Sequence, residues 1–174
     1  MLAHVKAVWT FRHFWMSLVR LDLRQRYRRS VLGIGWSLLH PIAMTAVFCV
    51  VFSQLLGGDD WTVYAPYLLA GMSVWDFLRN SVTSGCATFI RNEAYIRQCP
   101  LPCGLYPLRT VMGTAIHFFI SLGVVLLLVT ALKRDASALA VLPAVLPAVA
   151  LTLVFAWALA TLVGFATVYF HDTQ

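Results

Sequence analysis

Charged residues are scarce in this sequence of 174 residues, at 11% of the chain, whereas hydrophobic residues make up 60%. An average soluble domain is about 25% charged, and a soluble globular chain of this size could not bury so much apolar surface. Intrinsic disorder is excluded too, because it requires low hydrophobicity. The 4 cysteines are too sparse for a disulfide scaffold. The composition therefore predicts an integral membrane protein.

Residues that common catalytic motifs require are nearly absent. Lysine occurs only at positions 6 and 133, neither after a glycine, so the sequence has no Gly-Lys phosphate-binding loop. The single glutamate, Glu93, does not follow a histidine, and no Gly-x-Ser-x-Gly is present. Cys99 and Cys103 have the spacing of half a zinc site, but no second pair completes it. We therefore expect no enzyme, no metal and no cofactor in this chain; any ATP would be bound by a partner.

Four apolar stretches are long enough to cross a bilayer, which takes about 20 residues. They are Ser30–Leu56, Tyr64–Ile90, Thr110–Leu132 and residues 146–170. We expect Pro143 and Pro147 to make the start of the fourth stretch irregular, with regular helix from about Ala148. The predicted fold class is all-α, a polytopic helical membrane protein with four transmembrane helices within residues 30–174.

The charges predict the orientation of these spans. Ten basic residues fall on one side of the predicted membrane, seven before the first span and three after the second span. The other side has only Lys133 and Arg134, after the third span, and its loop between spans one and two carries Asp59 and Asp60. Basic residues accumulate on the cytoplasmic side of membrane proteins, so both termini are predicted to be cytoplasmic. The excess positive charge, +6 at pH 7, is expected to meet anionic membrane lipid, not nucleic acid.

Residues 1–29 form the predicted cytoplasmic or interfacial part of the chain. Basic and polar side chains recur at steps of three or four residues from Lys6 to Arg28, and apolar residues such as Phe11 and Trp15 lie opposite. This pattern is typical of a helix that lies in the membrane interface. We interpret residues 4–29 as an amphipathic helix preceding span one. It either serves as a collar touching a partner or only anchors the topology.

The second span contains charged residues that a lipid-facing helix would not. Asp76 and Arg79 are three residues apart, so they can pair within a helix, and Asn80 is close to both. A charge at the bilayer centre costs about 2.5–3.5 kcal/mol, so this cluster should face protein or water. Two interpretations stay open: a structural ion pair, or the polar lining of a path.

The segment between spans two and three, residues 91–107, is polar at first and rich in proline afterwards. Its first half, up to Gln98, can form about two helical turns, and Pro100, Pro102 and Pro107 are expected to stop the helix. A short polar helix of this kind is suited to docking a partner, although an ordinary loop is the alternative. The candidate docking residues are Arg91, Asn92, Glu93, Tyr95, Ile96 and Arg97.

These blocks together resemble the permease subunits of type-2 ABC exporters of polysaccharides and polyol phosphates (O-antigen, capsule, teichoic acid). The most specific block is the start of span one, with Arg26, Tyr27, Arg28, Arg29, Ser30, Gly33, Trp36 and Pro41. Weaker blocks are Pro66–Tyr67 with Gly71 and Trp75, Asn92 with Ile96 and Pro102, and Tyr169–Asp172. The resemblance covers nearly the whole chain.

The resemblance implies a permease of the bacterial cytoplasmic membrane that works as a homodimer with two ABC ATP-binding subunits, which bind ATP and magnesium. Residues 91–97 would dock on the ATPase, and a lipid-linked glycan would pass between the permeases. The candidate path-lining residues are Trp36, Tyr67, Trp75, Asp76, Arg79 and Asn80. The aromatic side chains among them would stack on sugar rings, or else serve in packing. The family has six spans, so this chain is expected to lack the last two.

Three alternative functions stay open. The chain could export another amphiphile, such as a drug or glycolipid, or be a truncated or degenerate permease without transport activity. The third alternative is an intramembrane hydrolase, with Ser73 as nucleophile and His117 as base across spans two and three. Serine and histidine in membrane spans also serve as interhelical hydrogen-bonding groups.

Overall fold

The structure is a computed structural model, and it describes residues 16, 17, 19–21, 35–55, 61–98, 103–133 and 142–170. Within these ranges all residues are helical except Ala87, Asn92, Cys103, Gly104 and Phe170, and none lies in a strand. The predicted all-α class is therefore confirmed for the part of the chain that is described.

Four long helices and two short ones make up these ranges. They are α1 (Gly35–Leu55), α2 (Trp61–Cys86), α3 (Thr88–Arg91), α4 (Glu93–Gln98), α5 (Leu105–Lys133) and α6 (Leu142–Tyr169). The long helices coincide with the four apolar stretches of the sequence. An apolar environment favours helices because a helix satisfies its backbone N–H and C=O groups within one segment.

Two helical stretches in the described ranges are long and apolar enough to cross a membrane, Leu105–Thr130 in α5 and Pro143–Tyr169 in α6. The first, with 26 residues, is about 39 Å long at the helical rise of 1.5 Å per residue. The hydrocarbon core of a bilayer is about 30 Å thick. Helix α2 is similar in length but contains Asp76, Arg79 and Asn80. Four membrane crossings stay a prediction.

Five prolines lie inside the described helices, and for three of them the sequence predicted irregular backbone or a helix stop. Pro107 lies in the first turn of α5 and Pro143 is the second residue of α6. Amide N–H groups in the first turn have no partner within the helix, so proline is tolerated there. Pro147 also lies within α6, where its only missing helical bond is the one to the Pro143 carbonyl. Helix α6 thus begins six residues before the predicted Ala148.

The N-terminal segment is described at only five positions, residues 16, 17 and 19–21, all of which are helical. Val19 is buried, whereas Met16, Ser17, Arg20 and Leu21 are exposed, so the amphipathic helix stays a prediction. The rest of the predicted amphipathic helix lies outside the described residues, as do Arg26, Tyr27, Arg28, Arg29, Ser30 and Gly33.

The chain divides into two compact units. The first comprises residues 1–29, 79–115 and 152–174, and the second comprises residues 30–78 and 116–151. In the second unit Phe77 and Phe118 stack with their ring centroids 4.8 Å apart, and the buried Ser73 and Ser121 side chains are hydrogen-bonded. The first unit contains α3, α4 and the candidate docking residues.

Candidate functional site

The candidate docking residues lie on α3 and α4 and at the turn that joins them. Asn92 forms this turn and is 8% exposed, whereas Arg91, Glu93 and Arg97 are exposed around it. The Asn92 side chain donates from Nδ2 to the carbonyl oxygen of Thr88 at 2.8 Å. The segment therefore has one buried polar side chain, that of Asn92, and a charged outer surface formed by the other three.

The charged outer surface includes an ion pair along α4. Arg97 Nη2 and Nε donate to Glu93 Oε1 at 2.6 and 3.1 Å, and the two side chains are 77% and 59% exposed. A pair of this spacing stabilises a helix by about 0.2–0.5 kcal/mol, so it supports α4 only weakly. Ile96 is half-buried on the same helix. The pair leaves both charges accessible to a partner.

Two consecutive residues near the start of α5 contact this segment. Arg109 Nη1 donates to Asn92 Oδ1 at 3.0 Å, and the Thr110 and Thr88 hydroxyl oxygens are 2.9 Å apart. Thr88 is 2% exposed. Side-chain hydrogen bonds therefore hold both ends of α3 against α5.

The hydroxyl contacts around Thr88 form a short chain. Thr88 Oγ1 is 2.9 Å from the Ser84 carbonyl oxygen, and Thr110 Oγ1 is 3.2 Å from the Tyr106 carbonyl oxygen. Each hydroxyl has one hydrogen to donate. The shorter contacts assign Thr110 as donor to Thr88 and Thr88 as donor to Ser84. This chain satisfies the buried Thr88 hydroxyl without water.

Helices α2 and α6 cross closely beneath this segment because two glycines lack side chains. A Cβ atom at Gly85 would lie 2.9 Å from the Ala160 Cα and 3.1 Å from its carbonyl oxygen. A Cβ atom at Gly164 would lie 2.9 Å from Phe89 Cε2. The Phe89 and Phe165 rings are 4.8 Å apart. Small residues of this kind let helix backbones approach in membrane proteins.

The turn before α5 is fixed to α6 by a tryptophan. Trp157 Nε1 donates to the Gly104 carbonyl oxygen at 3.1 Å. The next two residues, Leu105 and Tyr106, are buried. This hydrogen bond therefore helps to set where α5 begins.

Replacing Trp157 with phenylalanine is expected to lower the free energy of unfolding by about 1 kcal/mol, because a hydrogen bond to the Gly104 carbonyl is lost while an aromatic ring is kept. The measurement is equilibrium unfolding of the purified protein in detergent. Phe155→Leu on the same helix changes an exposed residue and should stay within about 0.5 kcal/mol of the wild type. Equal stability of the two variants would contradict the role assigned to Trp157.

The polar and aromatic candidates of span two all lie on α2. Tyr67 and Trp75 are exposed, at 76% and 63%, and Arg79 and Asn80 are exposed as well. Asp76 is half-buried. The sequence suggested an ion pair within this helix, but the ion pair found in the described part of the chain is the one between Arg97 and Glu93 on α4.

Three other candidates are located only by their backbone. Trp36 and Pro41 lie in α1, which continues through Pro41 to Leu55, and Tyr95 lies in α4. Their side chains lie outside the described part of the structure. Pro41 therefore does not end α1, and the predicted first span, Ser30–Leu56, also continues through it.

Ser73, the nucleophile of the hydrolase alternative, is hydrogen-bonded within its own part of the chain. Its hydroxyl donates to the Leu69 carbonyl oxygen at 2.7 Å and is hydrogen-bonded to Ser121, so both contacts go to groups other than His117. A nucleophilic serine requires a base within hydrogen-bonding reach. In the described ranges no cluster of three or more His, Cys, Asp or Glu side chains could hold a metal ion.

Several residues that shape the site were missed by the sequence analysis. Thr88, Thr110 and Arg109 contact the docking segment, but hydroxyl residues in apolar helices are common and give no pairing signal. On α2, Ser81 and Gly85 are small residues four positions apart, a weak signal for close helix packing. The clearest signal for the close approach of α2 and α6 was a series of small residues four positions apart on α6. These are Ala156, Ala160 and Gly164.

The described residues are almost all helical, and two of the helices are long and apolar enough to cross a membrane. Sequence similarity to known proteins indicates which kind of membrane protein the chain resembles. No family model matches the chain. Two proteins of Klebsiella pneumoniae, each named O-antigen export system permease protein RfbA, are 29% identical to it over 104 and 105 residues, 60% of this chain and 40% of each relative. A protein of the same name from Myxococcus xanthus is 25% identical over 174 residues, 100% of this chain and 66% of the relative.

The similarity to O-antigen export permeases confirms the resemblance drawn from the sequence motifs. The chain matches less than two thirds of the length of each of these relatives. The relatives are named as O-antigen export system permease proteins, which are transport proteins and not enzymes by name. Together with the two apolar helices, this similarity indicates a membrane protein.

Proposed function

We propose that this chain is the membrane-spanning permease part of an ATP-driven ABC exporter in the bacterial cytoplasmic membrane. The proposed substrate is a lipid-linked polysaccharide of the O-antigen, capsule or teichoic acid type. A separate ATP-binding subunit binds and hydrolyses ATP with magnesium, and the permease acts as a homodimer with both termini in the cytoplasm.

The observation that carries this proposal is the similarity along the whole chain to a relative named as an O-antigen export permease. The apolar helices α5 and α6 are compatible with a role in the membrane. The sequence contains no Gly-Lys phosphate-binding loop, which is consistent with ATP being bound by a partner.

The geometry of residues 91–97 supports docking of that partner. The exposed charges of Arg91, Glu93 and Arg97 surround a turn whose central residue, Asn92, is buried. Both the nitrogen and the oxygen of its side-chain amide are hydrogen-bonded. A docking surface works best when its backbone is already ordered, because binding then costs less conformational entropy. Motion of the bound ATPase would be passed to the spans through this segment.

The exposed aromatic residues of α2 are proposed contacts for the glycan. Tyr67 and Trp75 are eight residues apart on one helix and project large rings from it. Aromatic rings of this kind can cover the apolar face of a sugar ring. Trp36, Asp76, Arg79 and Asn80 are proposed to complete the lining of the path.

Reversing the charge of Arg97 tests the docking role. Arg97→Glu is expected to reduce the surface polysaccharide of a deletion strain carrying the variant gene, and to weaken recovery of the ATP-binding subunit with the purified permease. We expect a loss of about tenfold in affinity, the scale of one removed charge pair at an interface. Polysaccharide is measured on intact cells with a specific antibody, and the ATP-binding subunit by its ratio to permease after purification.

The double variant Glu93→Arg/Arg97→Glu separates recognition from helix stability. It keeps an ion pair along α4 but reverses its polarity, so docking should stay defective if the partner recognises the charges. Arg97→Lys keeps the charge and should retain most export. Full export by the reversed pair would show that only helix stability mattered. Wild-type protein that neither recovers an ATP-binding subunit nor restores polysaccharide would point to a permease without transport activity.

A further inference from the structure

We propose that the hydrogen bond between Asn92 and Arg109 is the positioning contact through which the docking segment acts on α5. This inference rests on the proposed function, because it assumes an ATP-binding subunit docked on residues 91–97. The two residues would not touch ATP or the glycan. Their role is to convert a displacement of α4 into a displacement of α5.

Asn92 uses every hydrogen-bonding group that it has. Its backbone N–H donates to the Phe89 carbonyl at 3.3 Å, and its own carbonyl accepts from the N–H of Ile96 at 3.0 Å. The side-chain Nδ2 donates to the Thr88 carbonyl at 2.8 Å, and Oδ1 accepts from Arg109 at 3.0 Å. Three of these four bonds stay within residues 88–96, and the fourth reaches α5.

The hydrogen bond from Arg109 in α5 to Asn92 is expected to be strong and long-lived. Its donor is a guanidinium group, and hydrogen bonds with a charged donor are stronger than neutral ones. Its acceptor belongs to a side chain that is 8% exposed. Exclusion of water strengthens such a bond and disfavours its exchange. Arg109 is itself half-buried, four residues after the start of α5.

A second contact attaches the docking segment to α5 at another point. Thr110, the residue after Arg109, is hydrogen-bonded to Thr88 at the opposite end of α3. Two adjacent residues of α5 therefore hold the beginning and the end of this single helical turn. Such an attachment resists rotation of the segment about one contact, so a force applied to the exposed charges of α4 is carried to α5.

The test uses the complete exporter, that is, the full permease purified with its ATP-binding subunit and reconstituted in lipid vesicles. Binding of the ATP-binding subunit, ATP hydrolysis and translocated polysaccharide are measured separately. Arg109→Leu, which lies outside the docking segment, is expected to keep binding within about twofold while polysaccharide moved per ATP falls by about tenfold, a loss within the range of pairwise couplings. Asn92→Leu should show the same loss of polysaccharide moved per ATP, and the double variant should be no worse in this measurement than the worse single variant.

Two further variants control this test. Arg109→Lys keeps a charged donor toward the Asn92 oxygen, so it should retain most of the polysaccharide moved per ATP. Thr83→Val removes an exposed side-chain hydrogen bond on α2 and should leave all three measurements unchanged. If Asn92→Leu does not fold, Arg109→Met takes its place, because it keeps a long side chain without a donor, with the same expected loss.

Three outcomes would overturn the inference. The first is an unchanged amount of polysaccharide per ATP in Asn92→Leu and Arg109→Leu. The second is an equal loss of binding and export, because the contact would then only support the docking surface. In both cases the proposed function stands if the wild-type complex exports. If the wild-type permease does not bind the ATP-binding subunit, both proposals are wrong.

Discussion

Gly85→Leu is expected to prevent the protein from reaching its folded state. A Cβ atom at this position would lie 2.9 Å from the Ala160 Cα and 3.1 Å from its carbonyl oxygen, so the obstacle is backbone, which cannot rotate away. Even Gly85→Ala should cost about 1–3 kcal/mol, the range for overpacked cores, and leucine should cost more. The measurement is the fraction of monodisperse protein after extraction from membranes, followed by equilibrium unfolding of what remains.

Gly123→Leu is the matched control for Gly85→Leu. Gly123 lies within α5, and a Cβ atom there would meet nothing within 4 Å. The same substitution should therefore leave the yield of folded protein unchanged or improve it, since glycine is a poor helix former. Ala160→Gly is not expected to rescue Gly85→Ala, because the Ala160 Cα stays in place. Normal folding of Gly85→Leu would mean that α2 and α6 do not cross at this point.

Gly164→Ala is also expected to lower the free energy of unfolding, by about 1–3 kcal/mol, but this loss should be partly reversible. The added Cβ would lie 2.9 Å from Phe89 Cε2, which belongs to a side chain, and 3.1 Å from the Gly85 carbonyl oxygen. Phe89→Leu replaces the aromatic ring with a smaller side chain. It therefore removes the contact with the ring and leaves the contact with the Gly85 carbonyl oxygen. The double variant should therefore be more stable than the sum of the single variants predicts.

A double-mutant cycle measures this difference. The free energy of unfolding of the wild type, Gly164→Ala, Phe89→Leu and the double variant gives a coupling energy, which we expect at about 0.5–3 kcal/mol in favour of the double variant. Phe155→Leu, an exposed aromatic on α6, replaces Phe89→Leu in a control cycle and should show no coupling to Gly164→Ala. Additive effects in the first cycle would contradict contact between Gly164 and the Phe89 ring.

The positions of the long helices were predictable because each coincides with a long apolar stretch of sequence. The ends were less predictable. Pro107 and Pro143 were expected to lie outside regular helix, yet both lie in first turns, where an amide N–H has no helical partner to lose. The sequence shows that a proline is present but does not show on which side of the boundary it falls.

The candidate site was predicted in part. The sequence indicated a short helix up to Gln98, and α4 ends at that residue. It did not indicate that Asn92 is buried, because polarity alone favours exposure for all the residues from Arg91 to Arg97. The intrahelical pairing considered for Asp76 was also a spacing argument, and spacing permits a contact without requiring it.

Composition and periodicity by themselves determined the all-α class, the approximate place of each long helix and the short helix before α5. These properties depend on residues that are near one another in the chain, so the sequence displays them directly. Only the tertiary structure decided that Arg109 bonds to Asn92 over 17 positions and that Gly85 meets Ala160. Such contacts depend on how distant helices are rotated and brought together, and many different pairings of small and polar residues would fit the same apolar sequence.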